Sequence, residues 1–260
     1  MKNLITKIEE VHKDKKVIVF DLDGTLAESK MLVDAEMSGL LTELLKQRTV
    51  AVIGGQNFDG FKTHLLNQLP IGAARDNLFI LPLNGASFYQ HQGGQWRQDY
   101  SKELLAEEKE HIKDALEEVF KETGYVGPEY LYGEQVEDRG SQVTFSALGQ
   151  EAPLEEKIKW SQEHHTEMII LAEKLQGKLP EMEVKIAGLT SMDVTPKGIN
   201  KKFGLEQLAN RLAIQTNEML FVGDAFEPDG NDTPALASGA LCFKVDSPAA
   251  TKELLKYLLD

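Results

Sequence analysis

Residues 17–26 read VIVFDLDGTL, and this stretch decides the fold. Its first four residues are apolar at every position, which is typical of a short strand buried on both faces of a parallel sheet. Asp21 and Asp23 follow at once, and Gly24 supplies the backbone freedom that a tight turn needs. Ligands bind at the carboxyl edge of open α/β sheets. The stretch therefore predicts a strand that leads two carboxylates into a binding site, although Asp and Gly also form plain solvated turns.

Apolar strands and amphipathic helices alternate at both ends of the chain. Strands are predicted over 17–20, 50–53, 78–81, 219–222 and 241–245, and helices over 34–47, 58–69, 198–213 and 249–259. This alternation predicts an α/β fold with a doubly wound parallel sheet, similar to a Rossmann fold.

The middle of the chain has a different pattern. A hairpin signal at 87–96 precedes two long amphipathic helices, at 102–123 and 154–175, and several short strands. Strands and helices that do not alternate predict an α+β insert. We therefore expect a core domain of residues 1–85 and 188–260, interrupted by an inserted domain of residues 86–187.

Composition excludes several classes of function. The 42 acidic and 28 basic residues give a formal charge of -14, so neither nucleic acid nor an anionic membrane is an expected partner. The single cysteine, Cys242, excludes an intramolecular disulfide. The first residues lack a signal-peptide pattern, and no run approaches the ~18 apolar residues of a membrane span. We expect a cytoplasmic protein.

A second acidic segment, FVGDAFEPDGND at 221–232, repeats the arrangement of the first. A buried strand ends, and Asp224, Asp229 and Asp232 follow within a few residues. Carboxylate oxygens are hard ligands that suit Mg²⁺, which binds through one or two carboxylates together with substrate phosphate. The segment predicts a magnesium site, although a polar loop would also explain it.

A lysine near a helix start is the third candidate. Lys201 lies in TPKGINKKFGLEQL, where it could pair with a phosphate. Lys197 and Lys202 are alternatives, because the predicted start of the helix could shift. Any one of them could equally be a solvated surface charge.

The order of these motifs, with an insert between FDLDGTL and the segment of Lys201, resembles the haloacid dehalogenase-like superfamily of aspartate-nucleophile phosphotransferases. The resemblance covers essentially the whole chain, and the insert is similar to the C2B cap of that superfamily. Within it, the sequence is most similar to eukaryotic-type phosphomannomutases and their bacterial relatives. The matching segments are FDLDGTL, Gly54-Gly55, Asn84-Gly85, VEDRGSQVTFSALGQ, TSMDVTPKGINKKFGL and GDAFEPDGND.

The resemblance implies a role for each matching residue. Asp21 would be the nucleophile, Asp23 the general acid and base, and Lys201 the partner of the phosphoryl oxygens. The Mg²⁺ ligands would be Asp21, the carbonyl of Asp23, Asp224, and either Asn231 or Asp232. The residues that would contact the substrate are Gly54, Gly55 and Gln56 in the core, and Arg139, Ser191 and Asp193 in the insert.

Three positions depart from the mutase pattern. Gln56 stands where a serine follows the two glycines, and Tyr132 and Gln150 stand where the mutases carry arginines that clamp a distal phosphate. An amide or a phenol does not replace a guanidinium fork. These departures favour a Mg²⁺-dependent phosphatase that hydrolyses a small sugar phosphate through an aspartyl-phosphate.

Two other functions stay open at this point. One is a hexose phosphate isomerase of the phosphomannomutase type, and the other is a phosphosugar-binding module without catalysis. The oligomeric state is also open, with a homodimer as the assembly that the resemblance implies.

Overall fold

The computed structural model describes residues 3–228 and 230–260. Contacts divide the chain into two compact units. The first comprises the described residues up to Ser101 together with Ile199–Asp260, and the second comprises Lys102–Gly198. Each unit has its own β-sheet and its own hydrophobic core.

The strands and helices follow the predicted pattern closely. The strands are β1 (Leu4–Ile5), β2 (Val17–Asp21), β3 (Thr49–Ile53), β4 (Leu78–Leu81), β5 (Ser87–Gln92), β6 (Gln95–Ser101), β7 (Val136–Asp138), β8 (Val143–Ser146), β9 (Met182–Ala187), β10 (Ser191–Pro196), β11 (Met219–Gly223) and β12 (Leu241–Lys244). The helices are α1 (Ala35–Gln47), α2 (Phe58–Phe61), α3 (Ala106–Thr123), α4 (Leu154–Lys178), α5 (Lys201–Leu212) and α6 (Pro248–Leu259). Helix α2 continues into a π-helical turn, Lys62–Leu66.

The first unit is built on an eight-stranded sheet in the order β1-β12-β11-β2-β3-β4-β5-β6. The first six strands in this order, from β1 to β4, pair in parallel. Strands β5 and β6 extend the sheet with antiparallel pairing. All five residues of β2 are buried. The parallel sheet and the separate antiparallel sheet of the second unit confirm the predicted fold class.

Alternate residues of the parallel strands point into two separate cores. Ile18 and Phe20 of β2 pack with residues of α1 and α6 on one face. Val17 and Val19 pack with residues of α5 on the other. Because side chains alternate between the two faces of a strand, both faces need apolar residues, which explains the continuous apolar run.

The division between the units differs from the sequence-based boundaries at 85/86 and 187/188. The hairpin of β5 and β6 extends the core sheet, because Phe79 and Ile80 of β4 pair with β5. The two strands turn at Gly93 and Gly94, which both have positive φ, as a tight hairpin turn requires. The first crossing between units therefore falls after Ser101, and the second falls after Gly198.

The second unit contains a four-stranded antiparallel sheet in the order β7-β8-β10-β9. Helices α3 and α4 supply Ile112, Leu116 and Leu171 to its core, where they meet Phe145 and Met192 of the sheet. Among the residues that the structure describes, none forms a helix long and apolar enough to cross a membrane.

Helix α5 lies unusually close to the turn that follows β4. A Cβ on Gly204 would collide with Ile53 Cδ1, and it would lie 3.3 Å from the carbonyl oxygen of Asn84. A Cβ on Gly85 would collide with Gly204 in turn. The two glycines therefore fix how closely α5, which begins at Lys201, approaches the end of β3.

Replacing Gly204 by alanine should lower the free energy of unfolding by about 1–3 kcal/mol, because the added methyl group overpacks this contact. The matched control is Gly39→Ala in α1, where a Cβ would meet no described atom within 4 Å. That change should raise stability by about 0.5–1 kcal/mol, the gain of alanine over glycine inside a helix. Urea unfolding measures the free energy of unfolding of both variants. Equal changes in the two variants would contradict a tight contact at Gly204.

Candidate active site

Three neighbouring strands bring the sequence motifs to one edge of the core sheet. Strand β2 lies between β11 and β3 and is parallel to both. It ends at Asp21, β11 ends at Gly223, and β3 ends at Ile53. Because parallel strands have their carboxyl ends at the same edge, the segments that follow these strands meet there.

Asp21, Asp224 and Asp232 form an acidic group at this edge. One carboxylate oxygen from each lies within 4.8 Å of the others. Asp21 is 2% exposed and Asp232 is fully buried, whereas Asp224 is half-buried. Charged carboxylates are costly to bury without a compensating charge, so this group requires a cation.

Lys201 supplies the first compensating charge. It is the first residue of α5, whose start is fixed by the Asn200 side chain accepting a hydrogen bond from Phe203 N at 3.3 Å. The fully buried Lys201 Nζ donates to Asp21 Oδ1 at 2.6 Å and also to Asp232 Oδ1. Lys202 instead faces Glu206 on the surface, 3.7 Å away. Of the candidate lysines, the structure thus brings Lys201 to the acidic group.

The turn after β2 holds Asp224 in place. Thr25 Oγ1, which is buried, donates to Asp224 Oδ1 at 3.1 Å. Gly24 has a φ of +82°, and a Cβ there would collide with the Asp224 carboxylate. Sequence reasoning assigned no role to Thr25, and its place in DLDGTL was the only signal available for it.

Burial governs the protonation of this group. Desolvation raises the pKa of Asp21, and the neighbouring Lys201 opposes that rise. Desolvation also raises the pKa of Asp224, with the Asp232 charge acting in the same direction. Burial disfavours the charged form of Lys201, but Asp21 and Asp232 outweigh it, so the pKa of Lys201 is raised and its ammonium is retained.

The donor set fits a divalent cation. When all three carboxylates are ionised, one ammonium leaves two negative charges in excess, and all the available donors are hard oxygens of the kind that Mg²⁺ prefers. Of the two alternatives left open by the sequence, Asp232 belongs to this group, and its Oδ2 also accepts from Ala225 N at 2.8 Å. Asn231 is exposed. Asp229 lies outside the described residues.

The carboxylate of Asp23 is held apart from the acidic group. Its Oδ1 accepts a hydrogen bond from Lys30 N at 2.6 Å, and its Oδ2 accepts from Gln56 Nε2 at 2.9 Å. Asp23 is half-buried, so its side chain is accessible to a ligand.

The segment Gly54-Gly55-Gln56 follows β3 and is tied to the turn after β4. Gly54 O accepts from Asn84 N at 2.8 Å, and Gln56 O accepts from Leu83 N at 3.0 Å. A Cβ on Gly54 would lie 3.6 Å from Asp21 Oδ1, so this backbone runs beside the nucleophile candidate. A Cβ on Gly55 would lie 3.9 Å from Asn84 Nδ2.

The candidate residues of the second unit lie in its four-stranded sheet. Arg139 Nε and Nη2 donate to Glu137 Oε2 at 2.8 and 2.7 Å. Ser191 and Asp193 stand two residues apart on β10 and share one face of the sheet, and Asp193 Oδ1 accepts from Thr144 Oγ1 at 2.7 Å.

Comparison with known proteins identifies the family. The profile described as "Eukaryotic phosphomannomutase" matches residues 37–260. The chain belongs to the eukaryotic phosphomannomutase family. Two of its relatives are the phosphomannomutases of Encephalitozoon cuniculi and Spinacia oleracea, each 27% identical. The first comparison covers 84% of this chain and 83% of the relative, and the second covers 85% and 86%.

Two solved structures that share the fold are described as a nucleotidase and a sucrose-phosphatase. An N-terminally truncated IMP-nucleotidase of Plasmodium falciparum has a TM-score of 0.67 at 18% identity, covering 96% of this chain and 72% of that one. The sucrose-phosphatase of Synechocystis, solved with sucrose and phosphate, has a TM-score of 0.56 at 18% identity, covering 89% and 82%. At these identities the likeness concerns the fold alone.

Membership of the phosphomannomutase family confirms the resemblance drawn from the motifs. The chain is an enzyme of the haloacid dehalogenase superfamily, and its chemistry is phosphoryl transfer. The sequence favoured a hydrolase and left an isomerase of the phosphomannomutase type as an alternative. The family supports the isomerase better than the hydrolase.

Adding Mg²⁺ should stabilise the folded protein, because the cation neutralises the two excess negative charges. At about 100 times the dissociation constant the gain is ~2.7 kcal/mol. Asp224→Asn should raise the melting temperature of the metal-free protein and reduce the Mg²⁺-dependent shift, since one repelling carboxylate is removed. Asp246→Asn removes an exposed acid and serves as the control. Equal Mg²⁺ shifts in both variants would argue against this site.

Proposed function

We propose that this enzyme transfers phosphoryl groups to and from hexose phosphates through Asp21, and that its main activity is isomerisation of the phosphomannomutase type. The observation that carries the proposal is the buried group of Asp21, Lys201, Asp224 and Asp232, in a chain of the phosphomannomutase family. The names of the relatives support a hexose phosphate as the substrate class.

Asp21 acts as the nucleophile in this proposal. Its carboxylate attacks phosphorus and forms an aspartyl-phosphate while the sugar oxygen leaves, which divides the transfer into two in-line steps. Lys201 Nζ already donates to Asp21 and would also meet the phosphoryl oxygens, reducing the repulsion between the two anions. When bound, Mg²⁺ would be held by Asp21, Asp224, the Asp23 carbonyl and Asp232, and it would supply further charge neutralisation.

Asp23 serves as the general acid and base. It lies two residues after the nucleophile, and its carboxylate is held by Lys30 N and Gln56 outside the acidic group. In the first step it donates a proton to the leaving sugar oxygen, and in the second it accepts a proton from the incoming hydroxyl.

The second unit supplies the remaining substrate contacts in this proposal. As the resemblance implies, it corresponds to a cap domain whose Arg139, Ser191 and Asp193 contact the sugar phosphate. Gly54, Gly55 and Gln56 of the first unit would line the site of the transferred phosphoryl group, because Gly54 lies beside Asp21.

Isomerisation and hydrolysis have different products. With mannose 1-phosphate and a hexose bisphosphate primer, the enzyme should form mannose 6-phosphate with little release of inorganic phosphate. Asp21→Asn should lower the rate by about a thousandfold or more, because the amide cannot act as the nucleophile. Asp14→Asn, an exposed site, should leave the rate unchanged.

Other outcomes would point to the alternatives. Stoichiometric phosphate release without isomerisation would favour a phosphatase. A protein that binds phosphosugars with Mg²⁺ present but turns none over would be a binding module. Full activity of Asp21→Asn would exclude the proposed covalent route.

Hydrolysis is a second candidate function, and the hydrogen bonds of Gln150 in the second unit favour it. Gln150 stands where the mutases carry a phosphate-clamping arginine, and its Nε2 is directed to Gln135 O at 3.3 Å and Thr144 O at 3.4 Å. Its Oε1 accepts from Arg139 Nη2 at 3.3 Å. An amide engaged within its own sheet binds a bisphosphate less tightly than a guanidinium fork does. With the hexose phosphate acceptor held less tightly, water would attack the aspartyl-phosphate instead, which releases inorganic phosphate and restores the Asp21 carboxylate.

Gln150→Arg should raise the ratio of isomerisation to hydrolysis by about tenfold or more, because a charge-assisted hydrogen bond contributes roughly 1.5–3 kcal/mol. Gln162→Arg adds the same charge at an exposed position of α4 and should leave the ratio unchanged. The ratio is measured from both products in one reaction. An unchanged ratio in Gln150→Arg would show that the missing guanidinium does not decide between the two outcomes.

A further inference from the structure

Two hydrogen bonds connect His64 to the carboxylate of Asp23. His64 Nδ1 lies 2.6 Å from Gln56 Oε1, and Gln56 Nε2 donates to Asp23 Oδ2 at 2.9 Å. All three residues are half-buried. The connection crosses from the π-helical turn after α2 to the turn after β2, and it passes through the position where relatives are expected to carry serine.

The orientation of the Gln56 amide fixes the direction of both bonds. Gln56 Nε2 donates to Asp23 Oδ2, so the amide nitrogen faces the carboxyl group. The amide oxygen then faces His64, and an amide oxygen only accepts hydrogen bonds, so Nδ1 of His64 carries a hydrogen and donates. His64 thereby fixes the orientation of the Gln56 amide, which would otherwise be free to turn its oxygen toward the carboxylate.

The surrounding backbone leaves space for the Gln56 amide and anchors His64. A Cβ on Gly60 would lie 2.5 Å from Gln56 Oε1, so only glycine leaves space for the amide there. The wide turn Lys62–Leu66 contains the hydrogen bond from Asn67 N to Lys62 O at 2.9 Å, and π-turns of this kind are frequent at functional sites. The carbonyl of His64 accepts from Val33 N at 2.9 Å, which anchors the histidine backbone.

We propose that His64 is a positioning residue for the proposed phosphoryl transfer, acting through Gln56 to hold the Asp23 carboxylate in the orientation that serves the leaving oxygen. The inference rests on the proposed function of Asp23 as general acid. Gln56 and the backbone of Lys30 grip different oxygens of the carboxylate, so its rotation is restricted. Gln56, in the place of the phosphate-binding serine, works here on the acid rather than on the phosphate.

Leaving-group chemistry separates this role from a merely structural one. A hexose alcohol needs a proton as its bond to phosphorus breaks, whereas nitrophenolate leaves readily without one. Damage to the position of the acid therefore slows transfer from a hexose phosphate much more than transfer from p-nitrophenyl phosphate. Damage to the fold or to phosphate binding slows both transfers alike.

The test uses His64→Leu and His64→Asn, which have nearly the same shape and differ in having a donor. With enzyme in excess and Mg²⁺ present, single-turnover release of mannose monophosphate from mannose 1,6-bisphosphate is compared with release of nitrophenol from p-nitrophenyl phosphate. Both report only the first transfer to Asp21, whichever acceptor follows. The single-turnover rate of the Leu variant should fall by about tenfold or more with the sugar phosphate and should change little with the aryl ester. The Asn variant should regain most of the loss.

The controls make each result decisive. Thr63→Val, at the exposed neighbouring position, should change neither rate, and melting temperatures show that the variants fold. Equal losses on both substrates, or a Leu variant as fast as wild type on the sugar, would overturn the role of His64. Failure of the wild-type enzyme on both substrates would instead overturn the proposed function.

Discussion

The buried ion pairs of Lys201 with Asp21 and Asp232 are the interactions on which the proposed active site depends. The Lys201 ammonium lies between Asp21 and Asp232 with no exposure to solvent, and it joins the start of α5 to the end of β2 and to the segment that follows β11. Removing one partner of a buried ion pair typically costs about 3–5 kcal/mol, because the other charge is left without compensation. Lys201 is also the only buried cation of the proposed phosphoryl-transfer site among the described residues. The Lys201 ammonium therefore contributes both to the stability of this edge of the sheet and to the charge of the site.

The overall acidity of the chain and its phosphate chemistry are compatible for this reason. A charge of -14 disfavours nucleic acid and anionic membranes, which contact a wide surface. A small phosphate depends on the local field instead. Part of the acidity lies in the group of Asp21, Asp224 and Asp232, whose carboxylate oxygens fit the proposed Mg²⁺. With that cation and Lys201 in place, the local charge becomes suitable for an anionic substrate.

Much of the fold was predictable, because the strands that carry the site are buried on both faces and therefore apolar throughout. The run at 17–20 and the run at 219–222 both form strands at the predicted positions. The strands β5 and β6 were assigned to the insert, although they extend the core sheet. Their alternating pattern specifies an antiparallel hairpin but not the sheet that it joins, since a hairpin with a half-buried face suits either. The π-turn after α2 likewise left no periodic signal, because it lies within an otherwise helical pattern.

The sequence by itself determined the chemistry that is available: carboxylates directly after buried strands, in an order that identifies the superfamily. Only the tertiary structure decided which candidate takes each place. It brought Lys201 rather than Lys202 to Asp21 and buried Asp232 beside it, and it joined His64 to Asp23 through Gln56. Lys201 and Asp21 are 180 residues apart in the chain. Such contacts follow from the packing of α5 and of the π-turn against the sheet, and no local pattern of residues encodes them.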